Sequence, residues 1–135
     1  MQFLNRKNIS FVIFIFLFFI MGCASVKEAS RGLAGISTQA LEERFPGGRT
    51  IKVKMDYDNC VNQTRILLKQ AGAYIYKDSP QRKLIAVYVS ETDTTPVGLF
   101  FESIDEKNTY ITFTSQSDYA RDYIAEKVEA AFNKR

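Results

Sequence analysis

An unbroken apolar run near the N-terminus, Phe11 to Met21, determines which part of this 135-residue chain is free to form a domain. Arg6 and Lys7 precede the run, and a small residue and Cys23 follow it, which is the three-zone layout of a secretory signal. With Ile9 and Ser10 included, the run has 13 residues and spans roughly 20 Å as a helix. It is too short to cross a bilayer comfortably, because the hydrocarbon core is roughly 30 Å thick. Arg6 and Lys7 lie on the side that stays in the cytoplasm. We therefore expect the chain beyond Cys23 to be exported.

The four residues Ile20-Met21-Gly22-Cys23 resemble the lipobox of bacterial lipoproteins. The resemblance implies a signal peptide over residues 1–22, cleavage between Gly22 and Cys23, a diacylglyceryl thioether on the Cys23 sulfur and an acyl chain, such as palmitate, on its new amine. A thiol suits this chemistry because its thiolate is strongly nucleophilic. Several acyl chains hold a protein at a membrane far more firmly than one does.

Residues Ala24 and Ser25 follow the cysteine, and neither is Asp. By resemblance to lipoprotein sorting in two-membrane bacteria, this implies the periplasmic face of the outer membrane, with the inner membrane as the alternative. Two other readings of the run stay open. It is either an ordinary cleavable signal, which would release a secreted protein beginning at Ser25, or a short permanent anchor.

The composition excludes several functional classes. The chain has no histidine, so it has no Ser/His/Asp or Cys/His triad and no imidazole base. It also shows no paired-acid spacing, nucleophile elbow or glycine-rich phosphate loop, and we expect neither an enzyme nor a cofactor. Removing Arg6 and Lys7 leaves 16 of the 18 basic residues against 15 acidic ones, a net charge of +1 that gives no reason to expect a nucleic acid partner.

The remaining chain divides into a tether, residues 23–50, and one domain, residues 51–135. In the tether we expect a helix near Thr38 to Arg44, and the composition does not decide whether it docks on the domain. Alternation at Ile51 and Val53 predicts a first strand. An apolar stripe from Tyr57 to Ala71 predicts a helix, capped by Asp56 or Asp58 and ended by Gly72.

Four more strands and a second helix follow. The expected strands cover residues 73–77, 83–90, 97–104 and 108–115, and the helix runs from a capping box at Ser115 and Asp118 to the C-terminus. The order β-α-β-β-β-β-α predicts an α+β fold, in which one curved antiparallel sheet of four to five strands is covered on one face by two helices.

Two further resemblances concern this domain. Its element order resembles the helix-grip domains of envelope lipoproteins in the β-barrel assembly machinery. The stretches Tyr57-Asp58-Asn59-Cys60, Gly72 to Tyr76 and Thr94 to Gly98 resemble small lipoproteins of environmental bacteria. The first likeness is one of topology, and topology does not determine function.

The most polar segment of the domain is a loop from Ser90 to Pro96, between two apolar strands. Binding sites favour loops held by rigid strands, so we expect its side chains to contact a partner. The candidate partner-binding residues are Glu91, Thr92, Asp93, Thr94 and Thr95. Glu91 and Asp93 lack the ligand spacing of a calcium site, so we expect no metal there and expect these two side chains to bond turn amides instead.

Three other features have both a functional and a structural interpretation. Cys60, with no basic neighbour, is expected to be a buried apolar residue and not a reactive thiol. Arg49, Lys52 and Lys54 are expected on one side of the first strand, as a solvated face or as a contact for lipid head groups. Nine aromatic residues are ordinarily core but alternatively line a groove where helix meets sheet: Tyr74, Tyr76, Tyr88, Tyr110, Tyr119, Tyr123, Phe100, Phe101 and Phe113.

The sequence thus predicts a lipid-anchored, non-catalytic binding or scaffold module of the cell envelope. We expect it to contact the membrane through its lipid and to dock an envelope protein on the loop or on an open sheet edge. The alternative is a small-ligand carrier that holds a lipid or glycan in the aromatic groove.

Overall fold

The computed structural model describes residues 38–135. The predicted signal peptide, the cleavage site at Gly22 and the lipidation site at Cys23 lie outside the described residues. A short helix and a 3-10 turn come first, followed by five strands and two long helices. The elements are α1 (Gln39–Glu43), the 3-10 turn (Phe45–Gly47), β1 (Arg49–Val53), α2 (Tyr57–Gln70), β2 (Tyr74–Ser79), β3 (Leu84–Tyr88), β4 (Pro96–Asp105), β5 (Asn108–Thr114) and α3 (Asp118–Asn133).

The five strands form one open antiparallel sheet in the order β1-β5-β4-β3-β2. Strands β2 to β5 are neighbours in both sequence and space because short links join them, whereas β1 pairs with β5 at the far edge. Both α2 and α3 pack on one face of the sheet, which we call the inner face. The predicted α+β fold, with two helices covering one face of the sheet, is confirmed.

The inner face is closed to solvent. Its strand residues come from alternate positions, since successive side chains of a strand point to opposite faces. Several are fully buried, with no exposed surface at all: Val87, Val97, Leu99, Ile111 and Phe113. Cys60 and Leu68 of α2 and Ala125 of α3 are buried equally and meet them in one cluster.

Both long helices begin and end with recognisable caps. Asp56 caps α2, because its carboxylate accepts a hydrogen bond from the Asn59 amide at 3.1 Å. The helix ends in a Schellman motif at Gly72, which has φ +80°, with the Ala73 amide donating to the Leu68 carbonyl at 3.0 Å.

The predicted cap of α3 was wrong by two residues. Ser117 is the N-cap, and its hydroxyl accepts a hydrogen bond from the Ala120 amide at 3.2 Å. Ser115 instead donates to the Pro96 carbonyl at 2.7 Å and accepts from the Ser117 amide. Ser115 therefore ties the start of α3 to the start of β4.

The segment from Thr38 to Gly48 docks on the opposite, outer face of the sheet. Leu41 of α1 is 1% exposed and lies over Gly98 of β4. Arg82 also donates to the Glu42 carboxylate at 3.1 Å, and the Phe45 and Phe100 rings pack edge to face, 5.2 Å between centroids. The composition did not decide whether this segment docks, because docking depends on the space left by the missing side chain of Gly98, far away in sequence.

Substituting Gly98 with Ala tests whether Leu41 packs against the bare backbone of β4 at this position. The added Cβ would lie 3.1 Å from the Leu41 Cβ and 2.9 Å from the Thr114 hydroxyl oxygen, closer than ordinary contacts. We expect Gly98→Ala to lower the free energy of unfolding by about 1–3 kcal/mol, measured by urea denaturation. Gly47→Ala is the matched control, since nothing lies within 4 Å of its added Cβ. Equal stability of the two variants would contradict the docked position of Leu41.

Candidate functional site: the Tyr74 depression

The predicted partner loop connects β3 to β4 and is held by its own hydrogen bonds. The Asp93 carboxylate accepts from the Thr95 amide at 3.1 Å and from the Thr95 hydroxyl at 2.7 Å. The Ser90 hydroxyl accepts from the Asp93 amide at 2.9 Å, and the Ser90 amide donates to the Asp93 carbonyl at 3.1 Å. The expectation that Glu91 and Asp93 bond turn amides is confirmed for Asp93 and wrong for Glu91, whose place at the Asp93 amide is taken by the Ser90 hydroxyl.

These bonds divide the five candidate residues into two groups. Asp93 and Thr95 hold the loop in shape, and Thr92 contacts Ser90, hydroxyl to hydroxyl, at 3.2 Å. Glu91 and Thr94 are exposed, and neither side chain has a hydrogen-bond or ionic partner among residues 38–135. The loop is therefore a rigid support that presents a free carboxylate to solvent.

Beside this loop, three tyrosines of β2 and β3 form a stack on the outer face. Tyr88 is in the middle, with the Tyr76 ring centroid at 4.3 Å and the Tyr74 centroid at 6.2 Å, and both rings lie within 20° of parallel to it. Strand alternation puts Tyr74 and Tyr76 on this face, and a bulge between Ile75 and Lys77 shifts the register so that Lys77 lies opposite Ala86. Burial raises the pKa of Tyr76 to about 12, whereas Tyr74 at the end of the stack is 52% exposed.

The loop and the tyrosine stack meet in a shallow, open depression of about 420 Å³, which we call the Tyr74 depression. Residues from the end of α2, the start of β2 and the loop line it: Lys69, Gly72, Ala73, Tyr74, Ser90, Glu91 and Thr92. Because the Schellman turn at Gly72 reverses the chain directly after α2, Lys69 and Tyr74 come to the same place.

The depression also adjoins one of the two open sheet edges. Strand β2, which begins at Tyr74, pairs only with β3 among the described strands. The loop and the sheet edge were predicted as alternative docking places. The structure brings them together at Tyr74, a residue that the sequence offered only as one of nine aromatic candidates.

The nine aromatic residues do not line one groove. Phe101 and Phe113 belong to the inner core, the tyrosine stack lies on the outer face, and Tyr119 and Tyr123 stack on each other on α3. A strand's alternation sends neighbouring aromatics such as Phe100 and Phe101 to opposite faces.

A second cleft, of about 400 Å³, lies at the other end of α2 and was not predicted. There the Arg65 guanidinium binds the Asp78 carboxylate with two hydrogen bonds of 2.6 and 3.1 Å and donates to the Asn62 side chain at 2.7 Å. The hydrogen bond to Asp78 raises the pKa of Arg65. The Lys83 ammonium lies 5.8 Å from the Tyr57 ring centroid. Most polar side chains of this cleft therefore bind one another, and their bonds connect α2 to the end of β2.

The basic residues of β1 are split between the two faces. Arg49 lies opposite Phe113 and points to the inner side, where it binds Glu129 of α3 at 2.8 Å. Lys52 lies opposite Tyr110 on the outer face. The expectation of one shared side was wrong for Arg49, because positions separated by an odd number alternate in a strand.

Cys60 is buried as predicted, with no exposed surface. Burial raises the pKa of its thiol to about 11, so the neutral form dominates near neutral pH. Within residues 38–135 no group of three or more Cys, Asp or Glu side chains is arranged to hold a metal ion.

The thiol of Cys60 provides a test of this core. Because only the thiolate is nucleophilic, we expect a thiol reagent at pH 8 to leave Cys60 unmodified in the native protein and to modify it rapidly in concentrated urea. The measurement is mass spectrometry of a Cys23→Ser chain, in which Cys60 is the single thiol. Rapid modification without denaturant would contradict the packing of α2.

Comparison with models of known protein families finds no match to this chain, and comparison with curated protein sequences finds none either. In the part of the chain that the structure describes, no helix has both the length and the apolar character needed to cross a membrane.

Proposed function

We propose that this protein is a lipid-anchored module of the cell envelope that works by binding and not by catalysis. The observation that supports this most directly is the Tyr74 depression, where an exposed aromatic ring, a rigid loop and an open sheet edge meet. The sequence from Arg6 to Cys23 supports the anchor.

The N-terminal end of the described chain and the partner loop lie at different ends of the sheet. The described chain begins at Thr38, whose hydroxyl accepts from Arg82 at 3.3 Å, next to the β2–β3 turn. The partner loop lies at the opposite end, because β3 runs from Leu84, after that turn, to Tyr88, before the loop. Thr38 and the Tyr74 depression therefore lie at opposite ends of the sheet.

The tether would also keep the module close to the membrane. Cys23 and Thr38 are 15 positions apart, so the connecting chain reaches at most about 50 Å. A binding partner in the same envelope would meet the module at a high effective concentration. The alternative function, a carrier with an internal ligand groove, has less support, since side chains fill the centre of the inner face, where Val87, Leu99 and Phe113 are fully buried.

Lipidation at Cys23 is the first test. We expect wild-type protein grown with an alkyne analogue of palmitate to become labelled and to fractionate with membranes, whereas Cys23→Ser stays unlabelled because it lacks the acceptor sulfur. Cys60→Ala is the matched control and should be labelled as the wild type is. Labelling of the Cys23→Ser variant, or a native protein whose mass includes residues 1–22, would overturn the anchor.

The binding surface has a separate test in living cells. We expect a photo-crosslinking residue at Thr92 to give an envelope adduct, seen either as a discrete protein band or as a module that sediments with cell-wall material, since Thr92 lines the depression. The same residue at Lys107, exposed in the β4–β5 turn at the other end of the sheet, should give none. An adduct of the same mass from both positions, or none from either, would overturn the assignment of the surface.

A further inference from the structure

We propose that the Tyr74 depression binds a neutral glycan strand, a polymer of pyranose units such as the cell wall provides. This inference rests on the proposed function and names the ligand class of the same surface. It follows from three properties of the depression: a braced aromatic ring, two unpaired groups of opposite charge, and an open shape.

The ring of Tyr74 is positioned before any ligand arrives. It lies parallel to the Tyr88 ring, at 10° between planes and 6.2 Å between centroids, and Tyr88 stacks in turn on Tyr76, while Tyr74 itself is half exposed and lines the depression. The face of an aromatic ring is electron-rich and attracts the polarised C–H groups that a pyranose presents on its flat side. A rigid ring loses little conformational entropy on binding.

The polar groups around the ring suit hydroxyls. Glu91 offers a carboxylate that accepts hydrogen bonds, and Lys69 offers an ammonium that donates them. Both side chains are exposed, and neither has a hydrogen-bond or ionic partner within residues 38–135. Sugar hydroxyls both donate and accept, so they satisfy the two groups at once. Since the two charges sum to zero, the site favours a neutral ligand over an anionic one.

The shape of the surface favours a glycan over a protein strand. The depression is shallow and largely open to solvent, which leaves room for a polymer to lie across it, and its volume of about 420 Å³ is within the usual range of ligand sites. Pairing of a partner strand with β2 is hindered by the bulge between Ile75 and Lys77 and by Lys77 itself, two devices that protect sheet edges.

The test is co-sedimentation of the lipidated full-length mature protein, in mild detergent, with purified cell-wall sacculi. We expect the wild type to bind and Tyr74→Ala to lose affinity about tenfold, because the truncation removes the aromatic ring that lines the depression. Tyr119→Ala is the matched control: Tyr119 is 76% exposed on α3 and its removal should change affinity less than twofold. Glu91→Ala, in an exposed loop position, should weaken binding without altering thermal unfolding.

Salt separates recognition of a neutral glycan from adsorption to a charged wall. At about 1 M salt the Debye length falls to about 3 Å, so adsorption driven by charge is lost while stacking on Tyr74 remains. Binding that disappears at this salt concentration, or an equal loss from Tyr74→Ala and Tyr119→Ala, would overturn the glycan assignment.

Different results would overturn the glycan inference alone and the proposed function as a whole. If sacculi do not bind and the Thr92 crosslink is to a protein, the ligand is a protein, and the glycan inference falls while the binding module stands. If the Thr92 crosslink is also absent, both fall.

Discussion

Burial of one face of the sheet under two helices is the constraint on which the rest of this structure depends. A half-apolar sheet cannot leave its apolar side in water, and α2 and α3 each supply one apolar stripe to cover it. The resulting core is dry, with Leu99 and Phe113 fully buried. Once the inner face is filled, every alternate side chain is committed to the outer face, where the tyrosine stack and the docked α1 lie.

The outer face is divided between a covered part and an open part. Leu41 fills the place above Gly98, where the sheet has no side chain of its own, and Phe45 extends this cover to Phe100. The tyrosines on β2 and β3 have no such cover in the described residues. A chain that needed only stability would gain from covering them too, since exposed aromatic area is unfavourable in water, and this contrast is the reason for assigning a binding role to the uncovered part.

The two clefts at the ends of α2 show why free polar groups matter more than volume. Both have about 400 Å³, but in one the Arg65 guanidinium and the Asp78 carboxylate neutralise each other. In the Tyr74 depression Lys69 and Glu91 approach the same space from different elements and have no other partner among the described residues. A ligand gains little from groups that already bind one another, and it gains from groups whose only competitor is water.

The sequence by itself determined the elements. Periodicity predicted α2, α3 and all five strands, because amphipathic spacing is a local property of the chain. Gly72 predicted the end of α2, and Asp56 was one of the two residues predicted to cap its start. The composition of the polar loop also identified it as a candidate site. The sequence predicted that side chains of the loop bond turn amides, but it did not show that Asp93 does so while Glu91 stays exposed to solvent. The tertiary structure alone decided that Leu41 docks, that Arg49 binds α3, and that Tyr74, Glu91 and Lys69 share one depression. Each of these placements brings together segments far apart in sequence, and each depends on strand register, which the local pattern of residues does not specify.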